Sequence, residues 1–167
     1  AGSNEPTGIT QTSGIGSVAL GADGGAITYD ALVDLVKAVE VDNANTGRLA
    51  FVTNPKVAAD MRTTARQSSG VEGNFILMGD NQVMGHDVIV TNQCPSDLTK
   101  GSGTDLSAVV YGDYSSCLVG FFSGLEILVD QYSKMEQQLV RIRGIQDLDV
   151  AIRHPQSFAA ILDVVAS

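Results

Sequence analysis

The region 124–155 most constrains this chain, reading GLEILVDQYSKMEQQLVRIRGIQDLDVAIRHP. In its second half Val140, Ile142, Leu148, Val150 and Ile152 occupy even positions, while Arg141, Arg143, Asp147, Asp149 and Arg153 occupy odd ones. Successive side chains of a strand point to opposite faces, so the pattern predicts a strand with an apolar side and a charged side. Taken as one piece, residues 139–153 would extend about 50 Å at a rise of about 3.3 Å per residue. A typical strand has about 5–6 residues. A strand of that length, with both signs of charge on its outer face, suits contact with neighbouring copies better than the interior of a compact enzyme.

Charge excludes some partners. The 167 residues carry a formal net charge of −9. A nucleic-acid-binding module normally presents a basic stripe, and acidic lipid repels an acidic protein, so neither is expected as a partner. The hydrophobic share of 44% is enough to build a core for one domain, with or without an extension. No apolar run approaches the roughly 18–20 residues that span a bilayer. No signal peptide is evident, and the first residue is Ala, as expected of a processed product or an excised fragment. Cys94 and Cys117 are too few for a disulfide framework and are expected as buried or half-buried free thiols.

The first 25 residues are rich in Gly, Ser and Thr and read as a loop or loosely held extension. Gly14, Gly16 and Gly21 lack the flanking strand and helix of a dinucleotide fingerprint, and no Gly-Lys-Ser/Thr follows them. From Thr28, Leu32, Leu35, Val36 and Val39 fall at helical spacing, with Thr28 as N-cap, Asp30 in the first turn and Asp34 able to pair with Lys37. This predicts a helix to about Glu40. A short buried strand is expected over 48–53. A second helix should follow, capped by Asn54, opened by Pro55 and presenting Val57, Met61 and Ala65 on one stripe. Residues 68–85 read as a loop around the apolar piece 75–78, residues 86–95 as a strand, 96–105 as a surface loop and 106–116 as a strand with a turn at Gly112 and Asp113. Residues 117–124 form another apolar piece. A last strand after Pro155 should close the sheet. Strands and helices are mixed without regular alternation, which favours α+β over a doubly wound sheet.

Several residue sets invite a chemical reading. Asp147 and Asp149 share one strand face and could hold a hard divalent cation, but Arg141, Arg143 and Arg153 lie on that face too. Ion pairing across strands or subunits accounts for all five, so no metal is expected. His86 and His154 have no ligand at a metal-site spacing, and no Gly-x-Ser-x-Gly nucleophile elbow occurs. A thiol catalyst built from Cys94 or Cys117 with a histidine remains open, since such partners meet only in space. Tyr111, Tyr114, Phe121 and Phe122 form an aromatic set expected to pack in the core.

Taken in order, the motifs resemble the major capsid proteins of tailed bacteriophages and prophages with the HK97-type fold. The resemblance is carried by Pro6-Thr7-Gly8-Ile9, by FVTNPKVAADMR, by MGHDVIVTNQCP, by VVYGDYS and by the closing run from GLEILVDQYS to HPQSFAAI. It implies an α+β subunit fragment: an axial mixed sheet flanked by helices over 26–123, extended peripheral strands over 124–155, and a closing axial strand over 156–167, after an extension over 1–25. It implies that the chain corresponds to the C-terminal portion of a subunit, without the N-terminal arm, extended loop and spine helix of the family. Its partners would be copies of itself, in pentamers and hexamers of the full-length protein, within a virion capsid made in the bacterial cytoplasm. No cofactor, membrane or small-molecule substrate is implied. Some members of the family weld subunits through a Lys–Asn bond assisted by a glutamate. Counting back from Pro155, Gln138 and Ile145 take those asparagine and glutamate places, so no such cross-link is expected. Arg141, Arg143, Asp147, Asp149 and Arg153 are the expected subunit-interface residues. The competing readings are a small α+β hydrolase using Asp147 and Asp149 or a Cys/His pair, and another virion component such as a tail or decoration protein.

Overall fold

A computed structural model describes residues 6–44, 47–66 and 74–166. The predicted helices form where their caps require. Helix α1 (Tyr29–Val41) begins at Thr28, whose side chain accepts the Ala31 N–H at 3.3 Å. It buries Leu32, Leu35 and Val39, and Lys37 stands 3.8 Å from Asp34 on its outer face. Helix α2 (Pro55–Thr63) begins at Asn54, whose Oδ1 accepts the Val57 N–H at 2.9 Å and whose Nδ2 donates to Pro95 O at 3.3 Å.

The strands are β1 (Gly16–Ser17), β2 (Leu49–Thr53), β3 (Gln82–Val83), β4 (His86–Val90), β5 (Leu98–Lys100), β6 (Gly103–Asp113), β7 (Cys117–Phe121), β8 (Glu126–Asp130), β9 (Arg141–Ile145), β10 (Leu148–Ile152) and β11 (Phe158–Val165). A seven-stranded sheet runs β1-β11-β6-β2-β4-β3, with β5 paired to the start of β6. It is mixed: β1–β11 and β2–β4 are parallel, and the other pairings are antiparallel. The fold is therefore α+β, as expected.

Both helices cover the same face of this sheet. Leu32, Leu35, Val39, Val57 and Met61 pack there against Phe51, Val109, Tyr111, Ala159 and Ile161. The opposite face carries a smaller core of Val110, Phe158 and Ala160, covered by Ile9, Ile15, Tyr114, Cys117 and Ile152.

Four expectations need correction. Of the first 25 residues, those from Gly16 to Gly25 are not loosely held: β1 extends the sheet, Gly25 bridges Val164, and Val18 and Leu20 pack on the main core. Residues 96–105 are not a plain surface loop, because β5 and the start of β6 form a tight hairpin around Gly101, whose φ of +58° glycine adopts without strain. Helix α2 ends before Ala65. Thr64 turns extended and its carbonyl accepts the Ile76 N–H, which lets Ile76 and Leu77 enter the core. Of the loop expected over 68–85, residues 68–73 lie outside the described residues, and Gln82–Val83 form the short strand β3 paired with β4.

The fourth correction concerns the long strand. Residues 139–153 do not form one strand but two, β9 and β10, and each pairs with a different partner. β10 is antiparallel to β7 and β9 is antiparallel to β8. Between the ladders, residues 122–125 on one side face only Gln146 and Asp147 on the other, so regular pairing cannot continue. The junction is held by Phe122 N–H to Asp147 O (3.0 Å) and Asp147 N–H to Ser123 Oγ (2.9 Å). Residues 117–121, expected with the preceding sheet, thus belong to this two-stranded ribbon, because their backbone groups bond β10.

Asn54 is 2% exposed and serves both α2 and the 95 turn. Asn54→Ala should cost about 2 kcal/mol, the upper end of the usual cap range, read as a lowered urea midpoint with unchanged slope.

Candidate functional site

The ribbon is the candidate site, because its side chains have no layer to pack on. Residues directly opposite in an antiparallel ladder share a face. In the proximal half, Ile152–Cys117, Val150–Val119 and Leu148–Phe121 are opposite pairs. In the distal half, Val129 faces Ile142 and Ile127 faces Gly144. The partners on the first strand are all odd-numbered and those on the second all even-numbered, so the junction preserves parity. Each ladder thus has one apolar face.

Cys117 and Ile152 at the root pack into the smaller core. Beyond them the apolar face leaves the domain. Phe121 is 66% exposed, Ile127 63% and Ile142 69%. Such a run of bare aliphatic and aromatic surface is large for a soluble monomer.

The other distal face is charged. Arg141 lies opposite Asp130, Arg143 opposite Leu128, and Ile145 opposite Glu126. Asp149 stands opposite Gly120 on β10, Asp147 sits in the junction, and Arg153 follows β10 with its N–H bonded to Ser116 O at 2.9 Å. Among the described residues none of these five takes part in a side-chain ion pair within 4.0 Å. Gln138 lies at the tip with φ +55°, and Ile145 ends β9.

At the tip, Asp130 Oδ1 accepts the Tyr132 and Ser133 N–H groups, each at 3.0 Å, and the Ser133 hydroxyl donates to Oδ2. The Ser133 hydroxyl first, then the two amides and the facing Arg141, hold this carboxyl down at about 2. These bonds favour the ionised form, so the turn's stabilisation is complete above the ordinary carboxyl range and is lost as pH falls towards 2.

Of the residues considered for catalysis, His86 and Cys94 have partners in the folded domain. His86 Nε2 lies 3.1 Å from the Tyr111 hydroxyl, and its ring packs edge-on against that of Tyr111. His154 lines a shallow pocket of about 230 Å³ with Asp42, Asn43, Ser116 and Gln156. Cys94 is buried and its thiol donates to Ala108 O at 3.3 Å; burial pushes it up to about 11. Both cysteines are free thiols. Among the described residues no group of three His, Cys, Asp or Glu side chains could hold a metal. Tyr111 is core, as expected, and Tyr114 packs against Phe158 at 5.5 Å. Phe121 and Phe122 are not core: the ribbon carries them out, 66% and 76% exposed.

The apolar partners on the first strand, Val119, Phe121, Leu125, Ile127 and Val129, were not among the expected interface residues. Their odd-numbered alternation is present in the sequence. It is masked because Leu118, Phe122 and Leu128 put apolar groups on the even positions as well.

Two measurements follow from this chemistry. With a pKa near 11, roughly one Cys94 thiol in a thousand is ionised at pH 8, so iodoacetamide should label Cys117 in the folded chain and reach Cys94 only after unfolding. Equal labelling of both would contradict the burial. A carboxyl NMR titration should give Asp130 a midpoint near 2; a midpoint near 4 would mean that the tip turn is not formed.

The description "Phage capsid family" matches residues 1–162. The major capsid protein of Halomonas phage phiHAP-1 is 24% identical over 164 residues, which is 98% of this chain and 24% of that protein. The capsid of an empty GTA particle superposes with TM-score 0.71 at 19% identity, over 99% of this chain and 58% of the other. Gordonia phage Cozz gives 0.61 at 18% identity, over 99% and 56%, and Mycobacterium phage Che8 gives 0.58 at 17%, over 88% and 53%. The chain thus spans about a quarter of the curated relative and little more than half of these solved chains. At these identities the structural likenesses establish the fold, which is HK97-type. With the family match extending over nearly all its length, the chain belongs to the phage capsid family.

Proposed function

We propose that this chain is the C-terminal portion of a phage or prophage major capsid subunit, a non-enzymatic protein that assembles with copies of itself into an icosahedral shell. The observation that carries this reading is the apolar ribbon face, continuous with the core at Cys117 and Ile152 and bare beyond them. Burying one Val, Ile, Leu or Phe side chain is worth about 1.5–3 kcal/mol. A fold that leaves a whole face of them in water gains that energy only on contact with another surface.

The seven-stranded sheet with its helices forms the axial part, which would gather into pentamers and hexamers. The ribbon forms the peripheral part and begins at Cys117 rather than at residue 124. Its apolar face supplies burial. Arg141, Arg143, Asp147, Asp149 and Arg153 supply register, because complementary charge across an interface suppresses wrong pairings more than it adds affinity. The net charge of −9 suits a surface that does not cling to packaged polyanion. The site of action is the virion shell, after synthesis in the host cytoplasm. No covalent welding is assigned to the chain, since Gln138 and Ile145 stand at the positions discussed above.

Electron microscopy of the full-length protein expressed alone should show capsomers or shells; dispersed monomers would overturn the reading. Ile142→Glu, and separately Arg141→Glu with Arg143→Glu, should each lower shell yield at least tenfold. Because these side chains are exposed or half-exposed, the isolated chain should keep its stability within about 0.5 kcal/mol. Normal shells from both variants would remove the ribbon from assembly.

A further inference from the structure

The glycine-rich start of the chain has a use that the capsid reading does not draw on. Strand β11 is irregular at one point. Ile161 pairs with Val109 and Val164 with Ser107, so β11 carries one extra residue between them. A bulge of this kind re-aims a side chain. The side chain concerned is that of Asp163, which is 2% exposed in the middle of a strand.

Its carboxylate gathers two segments that are distant from it in sequence. Oδ2 accepts the Lys100 ammonium at 2.6 Å, the Leu20 N–H at 3.0 Å and, less closely, the Gly21 N–H at 3.5 Å. The backbone continues the same junction. Gly25 N–H donates to Asp163 O at 3.0 Å, and Val165 N–H donates to Gly25 O at 2.9 Å. Asp23 Oδ1 accepts the Ser102 N–H at 2.8 Å, tying the turn at 20–25 to the β5–β6 turn.

Glycine makes the interlock possible. A Cβ at Gly24, where φ is +93°, would come within 2.8 Å of Asp163 O; one at Gly103 would come within 2.1 Å of Asp23 O. The second carboxylate oxygen, Oδ1, is buried with no hydrogen-bond partner. A buried carboxylate satisfied on one oxygen alone is a poor way to gain stability, because its desolvation is only partly offset. Its value lies in the placement of chain.

We propose that Asp163 is a positioning residue, a buried latch that holds residues 16–25 on the edge of the sheet as a unit able to detach while the core stays folded. Segments that open together below the global unfolding free energy exchange their amide hydrogens as a group.

Hydrogen exchange followed by NMR tests this on the chain as it stands. In the wild type, the amides of Val18, Leu20, Gly21, Gly25 and Ser102 should share one opening with a common denaturant dependence, faster than Val109 and Ile161. Asp163→Asn should speed that group at least tenfold and leave Val109 and Ile161 unchanged. Lys100→Met, which leaves the buried carboxylate without its counter-ion, should speed the same group as well. Wild-type rates in Asp163→Asn would overturn the latch, as would equal acceleration of the core. If Asp163→Asn does not fold, the wild-type measurement decides: independent openings of the five amides would overturn the proposal.

Discussion

Strand β6 is the constraint on which the rest of the structure depends. It bonds β11 on one side and β2 on the other, and its residues from Leu106 to Asp113 are all buried. A strand covered on both edges and both faces must divide its side chains by parity. Val109 and Tyr111 enter the helix-covered core, and Val110 enters the smaller one. Where space runs out the chain uses glycine: a Cβ on Gly112 would stand 2.4 Å from the Phe158 ring. At the end of β6, buried Asp113 accepts the Ser115 N–H at 2.9 Å and the Ser115 hydroxyl at 2.6 Å, closing the short helical turn at 114–116 that leads into β7. The direction of the ribbon is thereby tied to a strand that is buried and paired on both edges.

The two faces of the sheet are covered unequally, and the ribbon follows from that. Two helices supply a full layer on one side. The other side has Ile9, Ile15, Tyr114 and the ribbon root. Cys117 and Ile152 seal the smaller core and also start the exposed apolar face. The same alternation thus serves folding at the root and leaves an exposed apolar face further out. A two-stranded ribbon gains little stability by itself in water. Here its root is anchored by core packing and its tip by the Asp130 turn, and the face between them is left exposed.

Much of the fold was legible locally. The caps at Thr28 and Asn54 and Pro55 at the first position of α2 rest on interactions between residues close in sequence, and the buried stripe of α1 and the closing strand after Pro155 are marked by local periodicity and punctuation. The misreadings share one cause. The glycine-rich start, the 96–105 segment and Ala65 were assigned from composition and period, whereas their structure is set by partners far away: Ala159 and Asp163 for the start, Leu106 and Asp163 for the 98–100 strand, Phe75 for Ala65. For the candidate site, alternation over 140–152 predicts two distinct faces, and the ladders of the ribbon have them. It did not show that the apolar face would be left bare.

By itself the sequence determined the local elements, the parity of the ribbon residues and the order of motifs that marks the family, because each depends on backbone geometry and near neighbours. Only the tertiary structure decided that 139–153 breaks in two. That break depends on the count of residues in the opposing strand, where 122–125 meet only Gln146 and Asp147. Tertiary structure also decided which apolar residues are core and which are surface. Val119 and Val109 have the same chemistry, but only Val109 has a helical layer above it. Whether an apolar face is covered depends on what the rest of the chain brings to it, and alternation along one strand carries no information about that.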